Sequence, residues 1–143
     1  MGLAKYLFNK FPYADTYSKR TAPTTPGTVT ICGTSAHRIV VANLNAQYYP
    51  GPPRAMGMDD RQHRLQYFDR ALRHLADHIQ RTRTHPCIVA FPWRIGCGRA
   101  KGQWRLYSTL IMQWLNSSKT HDGRPIKVTV YQLLDTRSDT DKE

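Results

Sequence analysis

Apolar positions along this chain follow two rhythms, one returning every three or four residues and one alternating or unbroken over short runs. Near the start, Leu3, Leu7, Phe8 and Phe11 fall on one face of a short helix, which Pro12 should end. The stretch Thr-Val-Thr-Ile-Cys at 28–32 alternates β-branched side chains, and 38–44 is a nearly continuous apolar run. Both read as strands, the second expected to be buried on both faces, and 33–37 between them is short enough for a hairpin. Residues 48–60 carry three prolines and two glycines and form a loop.

The clearest helix follows. Leu65, Phe68, Leu72, Leu75 and Ile79 recur at helical spacing up to about Gln80, with Asp59 or Asp60 as the cap. Arg61, Arg64, Arg70, Arg73 and Arg81 are expected on its outer face, and Thr84-His85-Pro86 stops it. A third strand is expected at 87–91. Trp104, Tyr107, Ile111 and Trp114, widened by Leu110 and Leu115, then mark a helix that begins near Gly102. Residues 117–125 form a loop, 127–133 a fourth strand, and 135–143 a polar tail expected to fray.

Helices thus alternate with strands in the order α, β, β, α, β, α, β. Two helical crossovers favour an α/β fold, a mixed sheet with helices packed on both faces. The length of 143 residues suits one domain, here residues 1–134, with 135–143 as its tail. No apolar run approaches the ~18 residues that a membrane span needs. The N-terminal segment lacks a secretory pattern, and Tyr6 stands where myristoylation would want Ser or Thr. The expectation is an intracellular protein of cytoplasm or nucleus, without membrane contact.

Charge narrows the partners. Lys and Arg number 21 against 10 Asp and Glu, a net +11 that favours phosphate-bearing or polyanionic ligands. Cys32, Cys87 and Cys97 are widely spaced and unaccompanied by histidines at zinc spacing, so reduced thiols and no metal are expected. No cofactor is implied. His74 and His78 lie four apart on the long helix, but among arginines, where a solvated surface is expected.

Two stretches could carry chemistry. The first, Phe-Pro-Trp-Arg-Ile-Gly-Cys-Gly-Arg-Ala-Lys-Gly-Gln-Trp at 91–104, runs from a strand end through glycines into a helix. Ligands of α/β sheets bind beyond strand carboxyl ends, and successive amides near glycines can nest an anion. Arg99 and Lys101 would add charge, which suits a diphosphate. The motif lacks the Gly-Lys-Ser/Thr of a Walker loop, and nucleophilic catalysis by Cys97 would need a base that the sequence does not supply. The second stretch is 42–53, where Asn43, Asn45 and Gln47 end a strand before Tyr48 and Tyr49. These amides either orient a ribose or base, or satisfy backbone at the strand end.

Taken together, the segments 1–12, 26–31, 40–53, 64–72, 91–104 and 127–133 resemble a macro domain, in the branch of ADP-ribose-1″-phosphate phosphatases and terminal ADP-ribose glycohydrolases. The pairing of Asn-Leu-Asn-Ala-Gln-Tyr-Tyr-Pro-Gly with Ile-Gly-Cys-Gly-x-Ala-x-Gly-x-Trp carries most of the likeness. The resemblance implies binding of ADP-ribose or a related ADP-ribose phosphate, with phosphatase or hydrolase activity left open. It places Gly2, Leu3 and Ala4 in one ligand loop and Ile95, Gly96, Cys97, Gly98, Arg99, Ala100 and Lys101 in the other, with Asn45 and Gln47 nearby. The likeness begins inside the family's first glycine loop, so an N-terminally shortened domain is expected, with oligomerisation covering the open sheet edge. Where the glycohydrolase branch carries a catalytic Lys and Asp, this chain has Asn-Leu-Asn-Ala-Gln and Ala100. Implied partners are ADP-ribose or a related nucleotide, an ADP-ribosylated protein, or nucleic acid. The alternative is a basic module that binds nucleic acid or poly-ADP-ribose through the face from Arg61 to Arg81.

Overall fold

A computed structural model describes residues 3–16, 18, 24–34, 36–98 and 100–132. It is mixed α/β, with helix α1 (Leu3–Lys10), strands β1 (Thr28–Cys32) and β2 (Val41–Asn45), helix α2 (Arg61–Thr82), strand β3 (Ile88–Pro92), helix α3 (Trp104–Ser117) and strand β4 (Lys127–Tyr131). The element order matches the hydrophobic pattern. The expected tail at 135–143 and the last residue of the expected fourth strand lie outside the described residues.

The sheet differs from expectation. Among the described residues the strands form two pairs rather than one mixed sheet: β1 with β2 antiparallel, and β3 with β4 parallel. Each pair follows from its connection, since a short turn returns the chain antiparallel while the α3 crossover returns it parallel. The second strand is shorter than its apolar run. Its register pairs Cys32 with Val41, so 38–40 lie beyond the end of β1 with no strand opposite. Gly33, at φ +112°, turns the chain there, and the Tyr13 hydroxyl donates to the Ile39 carbonyl. All five residues of β2 are half-buried, not buried on both faces.

Helix α2 makes the fold's central contacts. It packs on β1 and β2 and also on α3. Phe68, Leu72, Leu75 and Ile79 of its expected stripe are buried, and Tyr67 and Ala71 widen it. The Phe68 and Tyr107 rings lie 4.7 Å apart, and Trp114 donates its indole N–H to the Leu72 carbonyl. Phe91 of β3 meets Trp114 edge-on at 5.7 Å. One apolar cluster thus joins both strand pairs to the two long helices. The opposite face of the parallel pair is open, with Ile88 and Tyr131 each about three-fifths exposed.

Short α1 stands apart from that cluster. It leads into a 3-10 turn at Pro12–Ala14, which Tyr13 stacked on His37 at 4.0 Å pins to the β1–β2 connection. Among the described residues no helix is long and apolar enough to cross a membrane.

Candidate functional site

Asp60 caps α2 by accepting from the His63 amide at 2.8 Å. The neighbouring acid does something else. Asp59 is 2% exposed and pairs with Arg64, itself 3% exposed, through both carboxylate oxygens at 3.1 and 2.7 Å. Arg64 was expected on the outer face with the other arginines. It turns inward because its guanidinium has more acceptors there than one carboxylate. It donates to the carbonyls of Tyr49, Gly51 and Pro52 at 3.1, 2.7 and 3.1 Å. A longer bond of 3.4 Å reaches the Ala100 carbonyl.

That last contact matters for the site. Residues 49–52 and 96–102 are the two loops with candidate chemistry, and one side chain fastens both. Asp59 in turn accepts the Tyr48 amide at 2.8 Å, so the acid also braces the proline loop. Burial pushes the Asp59 carboxyl up, but the Arg64 hydrogen bonds and the Tyr48 amide outweigh it and hold the group below its ordinary range. Periodicity alone could not find this arginine, since position 64 adjoins the stripe without belonging to it. The preceding acidic pair, at i−5 and i−4, was the one available signal.

Within the glycine loop, several expected cradle amides are engaged. Ile95 donates to Pro92, Cys97 to Arg94 and Lys101 to Gly98, at 3.2, 2.9 and 3.1 Å. Gly102 closes the turn by donating to the Gly96 carbonyl at 3.0 Å. Among the described residues the amides of Gly96, Gly98 and Ala100 have no protein acceptor. Gly96 is held at φ +76°, a conformation that strains any side chain, and a Cβ there would stand 3.0 Å from the Tyr107 ring. Lys101 has a left-handed backbone, φ +57°, without being glycine. Arg99 and Gly2 lie outside the described residues.

Cys97 does not look outward. It is 8% exposed, its thiol faces the Ile95 carbonyl at 3.4 Å, and burial pushes the thiol up from its ordinary value. A buried, protonated thiol is a poor nucleophile.

The strand-end amides resolve toward structure. Asn43 donates to the Ala14 carbonyl, Asn45 to the hydroxyls of Thr28 and Thr30 at 3.1 Å each, and Gln47 to the Tyr49 carbonyl at 2.8 Å. Leu3 and Ala4 open α1, and Ala4 is exposed there, away from the groove described next.

The two loops and the start of α2 enclose a groove with two connected parts. One is an open cavity of about 550 Å³ walled by Pro52, Arg54, Asp60, Arg61 and Lys101, among others. Arg61 and Lys101 are exposed and make no ion pair among the described residues, while Arg54 lies over the Tyr49 ring at 4.8 Å. Asp60, the one acid there, is tied to His63 through its amide and ring, which hold its carboxyl below the ordinary range. The other part is a narrower slot of about 300 Å³ reaching to Leu65, Gly102, Gln103 and Tyr107. Ala100 lines this slot and Lys101 the open cavity, whereas Asn45, Gln47, Ile95, Gly96, Cys97 and Gly98 line neither.

The groove therefore holds the exposed cations Arg54, Arg61 and Lys101, the buried Arg64 paired with Asp59, an apolar recess and a helix start. No cluster of His, Cys, Asp and Glu that could hold a metal occurs among the described residues. Compared with known proteins, the chain matches no protein-family model and no curated protein.

Proposed function

We propose that the chain is a macro-domain-like module that binds ADP-ribose or a related ADP-ribose phosphate. The observation that carries this reading is Arg64, whose buried guanidinium binds carbonyls of both candidate loops and so fixes them as two walls of one groove. Cations at Arg54, Arg61 and Lys101 line that groove, and the amides of Gly98 and Ala100, which have no acceptor among the described residues, belong to the turn that carries Lys101. Fixed donors beside mobile positive charge suit a pyrophosphate. The sequence of β3, glycine turn and α3 supports the macro-domain likeness.

Binding is the supported activity rather than hydrolysis. Asp60, the acid that lines the groove, is engaged with His63, Asp59 behind it is engaged with Arg64, and Ala100 offers no general acid or base. The basic-face alternative is weaker than the arginine count implied, because Arg64 is buried and Arg73 pairs with Asp69 at 2.8 Å.

Calorimetric titration with ADP-ribose, AMP and ribose phosphate at two salt concentrations tests the reading. ADP-ribose should bind, less tightly at higher salt. Absence of heat and of any thermal shift with all three ligands would remove it.

A further inference from the structure

The narrower part of the groove has a chemistry that phosphate binding does not use. Its apolar walls are Pro53, Leu65, Leu106 and the ring of Tyr107. Arg61 stands at the end nearest the open cavity, and Arg64, already bonded to Asp59 and four carbonyls, also lines the slot. Leu106 stands 43% exposed in the first turn of α3, on the side where the core asks for nothing apolar. At the rim sit Gln62 and Gln103. Both are exposed, neither side chain has a protein partner among the described residues, and Gln103 makes no capping bond although it occupies the cap position of α3.

We propose that this slot is a base-binding subsite, taking the flat heteroaromatic ring of the nucleotide while the cationic cavity takes its phosphates. The inference rests on the nucleotide reading above and assigns which end of the ligand goes where. A volume of about 300 Å³ lies at the small end of ligand pockets and suits a nucleoside rather than a peptide segment. Apolar walls remove ring surface from water on both faces. A carboxamide offers one acceptor and two donors side by side, which complements the donor and acceptor edge of a purine. Orientation is forced by the neighbouring charges. Pro53, Arg61 and Gln62 border both parts of the groove, so a base seated against Leu65 and Leu106 sends its ribose phosphate toward Arg61, Arg54 and Lys101. The reverse placement would set phosphates against Leu65 and Leu106, beside an Arg64 guanidinium whose charge Asp59 already neutralises.

Saturation-transfer NMR on the full chain, with adenosine and ribose phosphate as separate probes, distinguishes the two claims. The purine ring protons of adenosine should be saturated by the wild-type protein, and Leu106→Arg should abolish the effect by filling the slot. Because Leu106 is exposed, that variant should melt as the wild type does. Gln103→Ala should weaken adenosine by about fivefold, the loss of one or two hydrogen bonds. Absence of saturation in the wild type, or equal saturation in Leu106→Arg, overturns the subsite. Adenosine binding without ribose phosphate binding leaves the slot standing and overturns the phosphate cavity instead.

Discussion

Arg64 donates from Nε and Nη2 to the two oxygens of Asp59, and both residues are buried at the point where the proline loop meets α2. The pair does more than neutralise itself, since the same guanidinium supplies bonds to four backbone carbonyls. Removing one member strands the other. Arg64→Leu should lower unfolding stability by about 3–5 kcal/mol, the usual cost of an orphaned buried charge. Denaturant unfolding measures it, and a loss under about 1 kcal/mol would mean that water already solvates Asp59.

The same pair sets a pH dependence. The Asp59 carboxyl titrates below its ordinary range in the folded chain, so the unfolded chain takes up its proton first as pH falls. Its contribution is therefore complete above the unfolded value of about 4 and declines as pH drops further, through the folded value. Thermal melts between neutral pH and pH ~3 should show a decline that is shallower in Arg64→Leu, the remainder coming from Asp60 and Asp122, which are also held below their ordinary range.

Much of the architecture was legible because it rests on periodicity. The stripe from Phe68 to Ile79 and the stripe from Tyr107 to Trp114 are the buried faces of α2 and α3. Strand pairing was not legible, since a nearly continuous apolar run says that 38–44 is extended but not what it lies beside. The ladder ends where Gly33 turns, which the apolar Ile39 and Val40 could not reveal. At the groove, the glycine turn stood out by composition, yet the side chain that anchors it looked like one arginine in a basic face. Long-range hydrogen bonds to backbone carbonyls leave no mark in the spacing of residue types. Asn45 and Gln47 show the converse, polar residues conspicuous in the sequence whose partners are structural, hydroxyls of the facing strand for Asn45 and the nearby Tyr49 carbonyl for Gln47.

Two glycines of one turn should respond in opposite ways. A Cβ on Gly102 would stand 2.5 Å from the Gly96 carbonyl oxygen and 2.7 Å from the Tyr107 ring, whereas one on Gly98 meets nothing within 4 Å. Gly102→Ala should therefore cost about 1–3 kcal/mol, as overpacking does. Gly98→Val should leave the melting temperature nearly unchanged and weaken ADP-ribose by tenfold or more, because the cradle needs close backbone approach there. Unaltered affinity in Gly98→Val would move the diphosphate away from this turn.

Cys97 should behave as a packing residue. With its thiol buried and pushed up from its ordinary value, it should alkylate far more slowly than a free thiol at neutral pH. Mass spectrometry after timed iodoacetamide treatment reads this directly. Cys97→Ala should retain ADP-ribose affinity, and its loss without a fall in melting temperature would return the sulfur to the site.

Lys101 joins strain to charge. Its φ of +57° places a side-chain-bearing residue in the left-handed region, while its amide bonds to Gly98 and its ammonium borders the cationic cavity. Such a backbone costs roughly 1 kcal/mol relative to glycine and persists when something else selects the side chain. Lys101→Gly should thus keep or slightly raise stability, since relief of strain competes with the added freedom of the unfolded chain. The same change should weaken ADP-ribose severalfold and flatten its salt dependence, by removing one cation from the groove. Lys101→Ala separates the two effects, because it loses the charge but keeps the strain. If Lys101→Gly and Lys101→Ala bind ADP-ribose as tightly as the wild type, the ammonium does not face the ligand.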